Sequence, residues 1–403
     1  MALTTTPLAT DNFSRFMAEF FDEREVIGVS TAAQAFFGRP ETGSKTYFSD
    51  SSEVVEIEII RSNEKTSALV PRGKIGKSLN NKDLDQEKWT NFQRVFPVGE
   101  DMGEITASQL AKRIAGEGQY EGKERLMRAR ELAVSLSKEM IRRQVRLFER
   151  LAMQSLLTGK QDVILGTTDT NLQYDFKRDS NLSITVSNAW NSGSQTIMAD
   201  IDGACDKLRE IGHVTPDMIL VGGDAMDDML ADDDFQARAD NRRFGLISID
   251  MDGAMPSKFQ KFVDGGMEWR GSLKTAKGRK LYIFTYTDIY TTDAGVATDY
   301  MDSDKAIIAY SGARADRYFG PADVLPVDTE VRNLYMDYFG FSLDAPMMPG
   351  NMKNASNVIM PEMFHFDAYK SKNNKNLTMR CQTAPIFATT QTDAIAVLKG
   401  LHT

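Results

Sequence analysis

The chain of 403 residues is long enough for one large domain or two to three smaller ones, with ample material for a core. Its 41% hydrophobic and 26% charged residues are those of an ordinary globular protein. The net charge of -9 argues against a dedicated nucleic-acid binder, which needs a basic footprint, but not against a protein that merely encloses nucleic acid.

From Met1 to about Ser52 the sequence holds one short apolar-periodic piece, Phe13 to Phe21, and otherwise reads as an extended Thr-rich arm that gains order by lying on something else. The opening MALTTTPLATDNF has no basic region followed by an apolar core, and no run of 18 apolar residues occurs, so the expectation is a soluble cytoplasmic product with no membrane partner. Val54 to Ile60 alternates like a half-exposed strand, and Trp89 to Phe96 is a second strand candidate ending at Pro97. Between them Arg61 to Lys88 carries seven basic and four acidic side chains, with PRGKIGK at Pro71 to Lys77. A connection this long is usually functional or orders on a partner.

Thr106 and Gln109 have capping-box spacing and predict a short helix to about Ala115, broken by Gly116, Gly118 and Gly122. Glu124 to Thr158 then runs without Gly or Pro until Gly159, which predicts one helix about 50 Å long. Its apolar stripe passes through Leu126, Ala129, Ala133, Leu136 and Met140, then Ile141, Val145, Phe148, Ala152 and Leu156. The other face, rich in arginine and carrying Glu131, Glu139 and Glu149, reads as solvated or interface-facing. The register slips near Met140, which favours packing on a sheet of the same chain over a coiled coil.

Asp162 to Ser194 reads as short strands and turns, with Leu182 to Val186 the clearest strand. Beyond it come a helix at Thr196 to Ile211, a buried strand at Met218 to Val221, a Gly222-Gly223-Asp224 turn with Asp224 as N-cap, and a helix from Ala225 to about Ala239. Leu281 to Tyr286 and Lys305 to Tyr310 are strand-like, and Gly265 to Gly278 reads as a turn region. A Met- and Pro-rich excursion spans about Pro321 to Lys375, and strands are expected at Leu377 to Cys381, Ala384 to Thr389 and Ala394 to Leu398. This is an α+β pattern.

Motifs that carry chemistry are few in this chain. The glycine turn could cradle phosphate, but it lacks a third glycine and is followed by Asp224, Asp227 and Asp228, which would repel one. The acids at Asp232 to Asp234 lack EF-hand spacing, His213, His365 and His402 fit no triad or zinc pattern, and Cys205 and Cys381 form no CxxC pair. The two cysteines read as buried free thiols. No catalytic residue, cofactor or metal ligand is assigned. Candidate inter-subunit contacts are Arg61, Arg72, Lys74 and Lys77, with a solvated loop tip as the competing reading.

The order of parts resembles the major capsid proteins of tailed bacteriophages, which share the Hong Kong 97 fold, and within them the lambda-type major capsid protein E family. The likeness is carried by IIRSNEKTSALVPRGKIGK at Ile59 to Lys77, RARELAVSLSKEM and LLTGK on the long helix, DMILVGGDAMDDML, AIIAYSGARADRYFG and CQTAPIF. The resemblance implies an N-terminal arm at 1-52, an extended E-loop hairpin at 53-97, and a peripheral domain with a spine helix at 98-195. It further implies an axial domain at 196-310, a return to the peripheral domain at 311-376, and terminal strands of the axial domain at 377-403.

By the same resemblance, the protein would be a non-enzymatic subunit of hexamers and pentamers in an icosahedral shell around double-stranded DNA. It would be assembled in the host cytoplasm and located in the virion. A separate scaffolding protein is implied, a portal occupies one vertex, a decoration protein is allowed, and contact with DNA is nonspecific. The competing readings are an encapsulin-like or other shell of the same fold, and an enzyme using the glycine turn.

Overall fold

The computed structural model describes residues 29–49, 54–62, 86–95, 98–106, 125–162, 173–238, 255–275, 277–292, 295–321, 365–370 and 376–402. In chain order, β1 (Thr46–Phe48) follows two single 3-10 turns at Gln34–Phe36 and Pro40–Thr42. Strands β2 (Val54–Ser62) and β3 (Gln86–Val95) form an antiparallel hairpin, and β4 (Gly99–Thr106) leads toward helix α1 (Arg125–Thr158). Both hairpin strands run further toward the connection than the alternation alone predicts. Short strands β5 (Lys160–Asp162), β6 (Gln173–Asp175) and β7 (Ser183–Thr185) come next.

The following stretch alternates helices and strands: α2 (Ile197–Ile211), β8 (Met218–Val221), α3 (Gly223–Ala231), α4 (Asp233–Arg238) and α5 (Gln260–Asp264). Then come β9 (Glu268–Lys274), β10 (Lys280–Thr285), the hairpin β11 (Ile289–Thr291) and β12 (Ala297–Asp299), β13 (Ala306–Ala309) and β14 (Asp316–Phe319). The chain closes with β15 (His365–Lys370), β16 (Asn376–Thr383), β17 (Pro385–Ala388) and β18 (Ile395–Lys399).

A six-stranded mixed sheet, ordered β7-β18-β13-β8-β10-β9, is the centre of the molecule. Period-two geometry divides its side chains between two cores. Met218, Leu220, Phe284, Ile307, Ile395 and Val397 face one core, and Ile219, Val221, Ile283, Ile308, Ala396 and Leu398 face the other. Burial on both faces explains why these strands read as unbroken apolar runs. The second face is covered by Ile201, Cys205 and Leu208 of α2 and by Met226 and Met229 of α3. The first is covered by Phe36, Phe259 and Phe262 and by the buried stripe of α1, from Met140 to Leu157. Two further sheets, β1-β14-β17 and β15-β16-β4, lie beside α1, so the three terminal strands belong to three different sheets.

Helix α1 starts and stops where its lack of breakers predicts, and Gly159 ends it with φ +68, the left-handed geometry that glycine adopts at no steric cost. Gly159 N–H donates to the Ser155 carbonyl. Arg178 adds three bonds from its guanidinium, to the carbonyls of Leu157 (3.0 Å), Ser155 (3.1 Å) and Leu156 (2.6 Å). A cation thus meets the negative end of the helix dipole. Burial lowers the Arg178 pKa to about 10, still well above neutrality.

Four local expectations are corrected. Gly265 to Gly278 is not all turn, because β9 runs through it; Gly271, at φ +142, opposes a register shift at Ile283/Phe284, and pairing with β10 overrides the weak strand propensity of its glycines. The helix expected from Ala225 to Ala239 is two helices, since Asp232 turns extended and its Oδ1 accepts from Phe235 N–H at 2.7 Å to start α4. Gly222, not Asp224, is the N-cap of α3. Glu149, expected on the solvated face of α1, is fully buried. The predicted Phe13 to Phe21 piece, most of the Thr106 to Ala115 helix and most of the Met-rich excursion lie outside the described residues.

Candidate functional site

Glu149 gathers the strongest polar constellation among the described residues. Its position on α1 points it at the first 3-10 turn, whose free N–H groups need acceptors. Ala33 N–H donates to Glu149 Oε1 at 2.6 Å, and Gln34 donates to Oε2 through both its backbone N–H and its side-chain amide, each at 3.2 Å. Tyr286, just past β10, donates its hydroxyl to Oε1 at 2.8 Å and lies 2.9 Å from Ser30 Oγ, which in turn donates to the Gly265 carbonyl at 3.0 Å. One carboxylate therefore ties the arm, the long helix and the central sheet together. Burial pushes its pKa up to about 7, against the opposing pull of the donors from Ala33, Tyr286 and Gln34. Burial, with Glu149 next in weight, also holds the Tyr286 hydroxyl firmly protonated.

A groove of about 820 Å³ runs along the exposed face of the same helix. Arg143, Arg146 and Arg150 line it with Leu147 and Leu151, and β4 and the β11-β12 hairpin form its other sides. Arg143 pairs with Asp101 at 3.2 Å, Arg146 with Glu139 at 3.4 Å, and the Arg150 guanidinium lies over the Tyr290 ring at 5.2 Å. Ile289 remains 61% exposed on the rim, an apolar surface of the kind partners cover. No simple sequence signal separates Glu149 from its exposed neighbours, because the helix pattern shows only that a charge sits off the main stripe.

The structure places Arg61 near the end of β2, opposite Glu87 of β3 in register, whereas Arg72, Lys74 and Lys77 lie outside the described residues. At the glycine turn, a Cβ on Gly222 would lie 2.6 Å from the carbonyl oxygens of both Asp302 and Ser303. Ala225 N–H donates to that Ser303 carbonyl at 3.0 Å, so the space where a phosphate would sit holds carbonyl oxygens instead. Asp224 accepts from the Ser303 hydroxyl at 2.5 Å, and Asp228 pairs with His402 at 2.8 Å, a bond that raises the imidazole pKa. Among the described residues no three His, Cys, Asp or Glu side chains converge as a metal site would require, and no helix is long and apolar enough to cross a membrane. Cys205 and Cys381 are both free and buried. Burial pushes the Cys205 thiol up to about 11 and raises that of Cys381 as well.

The family model described as phage major capsid protein E matches residues 39–399. Among solved structures, a protein assigned as the capsid protein of an Escherichia coli CFT073 prophage superposes with a TM-score of 0.55 at 14% identity, over 96% of this chain and 97% of that one. A phage-related protein of Bordetella bronchiseptica RB50 gives 0.43 at 8% identity, over 93% and 98%. The satellite phage P4 procapsid gives 0.40 at 10% identity, over 97% and 99%. No curated protein matches the sequence. The architecture is the α+β fold of Hong Kong 97-type shells. With the match spanning nearly the whole sequence, the chain belongs to the phage major capsid protein E family, the structural subunits of phage heads.

Proposed function

We propose that the protein is a non-enzymatic subunit that assembles with copies of itself into the hexamers and pentamers of an icosahedral shell enclosing double-stranded DNA. The observation that carries this reading is the family match over residues 39–399. The parts in order support it: an arm, a hairpin whose strands end at Ser62 and resume at Gln86, a helix of 34 residues, and a two-cored central sheet. In this reading 1–52 is the arm, 53–97 the hairpin that reaches a neighbour, and 98–195 the peripheral domain. Residues 196–310 form the axial domain with the terminal strands at 377–403, of which β18 joins the central sheet, and 311–376 return to the peripheral domain.

Assembly on a separate scaffolding protein in the host cytoplasm, a portal at one vertex, a surface decoration protein and nonspecific contact with packaged DNA belong to the same proposal. Many weak symmetric contacts suffice to hold such a shell. Its mildly acidic subunit, at a net charge of -9, avoids gripping the genome. Electron microscopy of the purified chain, alone and with a coexpressed scaffold, tests it. Shells, tubes or capsomers are expected; uniform monomers in every condition would overturn it.

Within that assembly, Arg61, Arg72, Lys74 and Lys77 are proposed to meet carboxylates of an adjacent subunit. Charge reversal of Arg72, Lys74 and Lys77 together is expected to abolish or deform shells while leaving the unfolding midpoint of the monomer unchanged. Normal shells from the triple variant would assign the cluster to solvent.

A further inference from the structure

Four of the six exposed large hydrophobic side chains among the described residues lie on two surfaces. Ile289 (61% exposed) and Val296 (58%) are on the β11-β12 hairpin, and Tyr47 (38%) and Tyr310 (37%) are on β1 and just past β13. The hairpin is a sheet of two strands, each with one edge unpaired among the described residues, and a hairpin of this size is marginal by itself. Tyr290 pins its inner face, beneath the Arg150 guanidinium and 4.9 Å from the Tyr300 ring. Ile289 stands opposite Asp299 in register, so the two side chains share the other face, where Thr291 and Ala297 are exposed as well. No Lys, Arg or His occurs from Leu281 to Asp304, which leaves this outward face aliphatic and acidic.

The second surface is aromatic and basic. Tyr47, on the edge strand β1, stacks on Tyr318 with ring centroids 4.8 Å apart and planes within 8°. The Tyr310 ring lies against Gly312, where a Cβ would come within 2.7 Å of it, so only glycine leaves the ring its place. Arg314 is held by Asp316 at 3.0 Å and reaches the Tyr47 hydroxyl at 3.5 Å, while the exposed Lys45 has no ion-pair partner among the described residues. Fixed tyrosines beside a fixed arginine are the residue types that anchor interfaces. The two surfaces leave the central sheet at opposite ends: the hairpin follows the end of β10 that pairs with Val221, and Tyr310 follows the end of β13 that pairs with Met218. A contact between them therefore joins two copies head to tail, the heterologous arrangement that a closed ring requires. We propose that the β11-β12 hairpin of one subunit packs on Tyr47 and Tyr310 of the next, with Asp299 directed to Lys45 and Arg314 of that neighbour. This contact rests on the reading of the chain as a shell subunit and gives its rings a specific seam.

Coassembly of full-length variants tests it, since Cys205 and Cys381 are buried and contribute little background. Chains carrying Ile289→Cys or Val296→Cys are mixed with chains carrying Tyr47→Cys or Tyr310→Cys, assembled, oxidised, and read by non-reducing gel and peptide mass spectrometry. At least one mixture is expected to give a bond between unlike chains, because packed partners bring Cα atoms within the roughly 7 Å that a disulfide spans. Bonds only between like chains, or none in any mixture of assembled shells, would overturn the contact and leave the shell reading standing. Absence of shells from the unmodified chain in every condition would overturn both. Charge exchange is a second measurement. Asp299→Lys and Lys45→Glu should each lower shell yield about threefold or more at an unchanged monomer unfolding midpoint, and the two together should return it to within about twofold of the parent. Parent yield from both single variants would equally overturn the proposal.

Discussion

Tyr286 donates its hydroxyl to Glu149 at 2.8 Å, joining the central sheet to the long helix beneath the arm. Asp288 also acts on the Tyr286 hydroxyl, and burial together with Glu149 raises the pKa of the neighbouring Tyr300 against the opposing pull of Arg146. A carboxylic acid whose folded pKa is raised binds a proton that the unfolded chain has already released. Stability from this group is therefore fully present below about pH 4.5 and is lost as the pH rises through about 7, by on the order of 3 kcal/mol in all.

Glu149→Gln should remove that slope. Its amide nitrogen would face either the Gln34 donors or those from Ala33 and Tyr286, so at pH 5 the variant is expected to be less stable than the parent by about 1–3 kcal/mol. By pH 8 the gap should close, because the parent then carries a buried charge. Urea unfolding of both proteins at the two pH values gives the comparison, and parallel pH profiles would show that Glu149 does not titrate in this range.

At the other end of the helix, Arg178→Ala removes three charge-assisted bonds to the carbonyls of Ser155, Leu156 and Leu157. A loss of about 2–3 kcal/mol is expected, with hydrogen exchange accelerated in the final turn of α1 rather than at its middle. Gly159→Ala should cost about 1 kcal/mol or more, because it forces a left-handed Cβ to within 2.9 Å of Arg178.

Gly222→Ala and Asp224→Ala separate packing from chemistry at the glycine turn. The first drives a methyl group against two backbone carbonyls and should cost about 3 kcal/mol. The second loses one exposed bond to Ser303 and should change stability by less than about 1 kcal/mol, with assembly intact. Thermal unfolding and shell yield measure both. A severe assembly defect in Asp224→Ala with normal folding would give that carboxylate a role beyond its bond to Ser303.

Phe148 on α1 meets Phe319 of β14 at 5.5 Å and Phe387 of β17 at 5.8 Å between ring centroids. Phe148→Ala should cost about 3–5 kcal/mol, and Phe148→Leu considerably less, because the cavity left is smaller. Denaturant midpoints of the two variants give the ratio.

Local signals along the chain suffice for the elements in which they agree: α1 from its freedom from breakers and its terminal glycine, β8 and β18 from short apolar runs, and α2 from its stripe of Ile201, Cys205 and Leu208. The order of those elements was enough to indicate the family. Tertiary structure alone decided what depends on a distant partner. It turned the glycine-bearing stretch at β9 into a strand by offering β10 as an edge, distributed β16, β17 and β18 among three sheets, and set Gly222 against the Asp302 and Ser303 carbonyls. It also drew Glu149 inward. A charge on a helix carries no mark of burial in its own pattern, and only the unpaired N–H groups of Ala33 and Gln34, more than a hundred residues away in the chain, make an interior carboxylate favourable there.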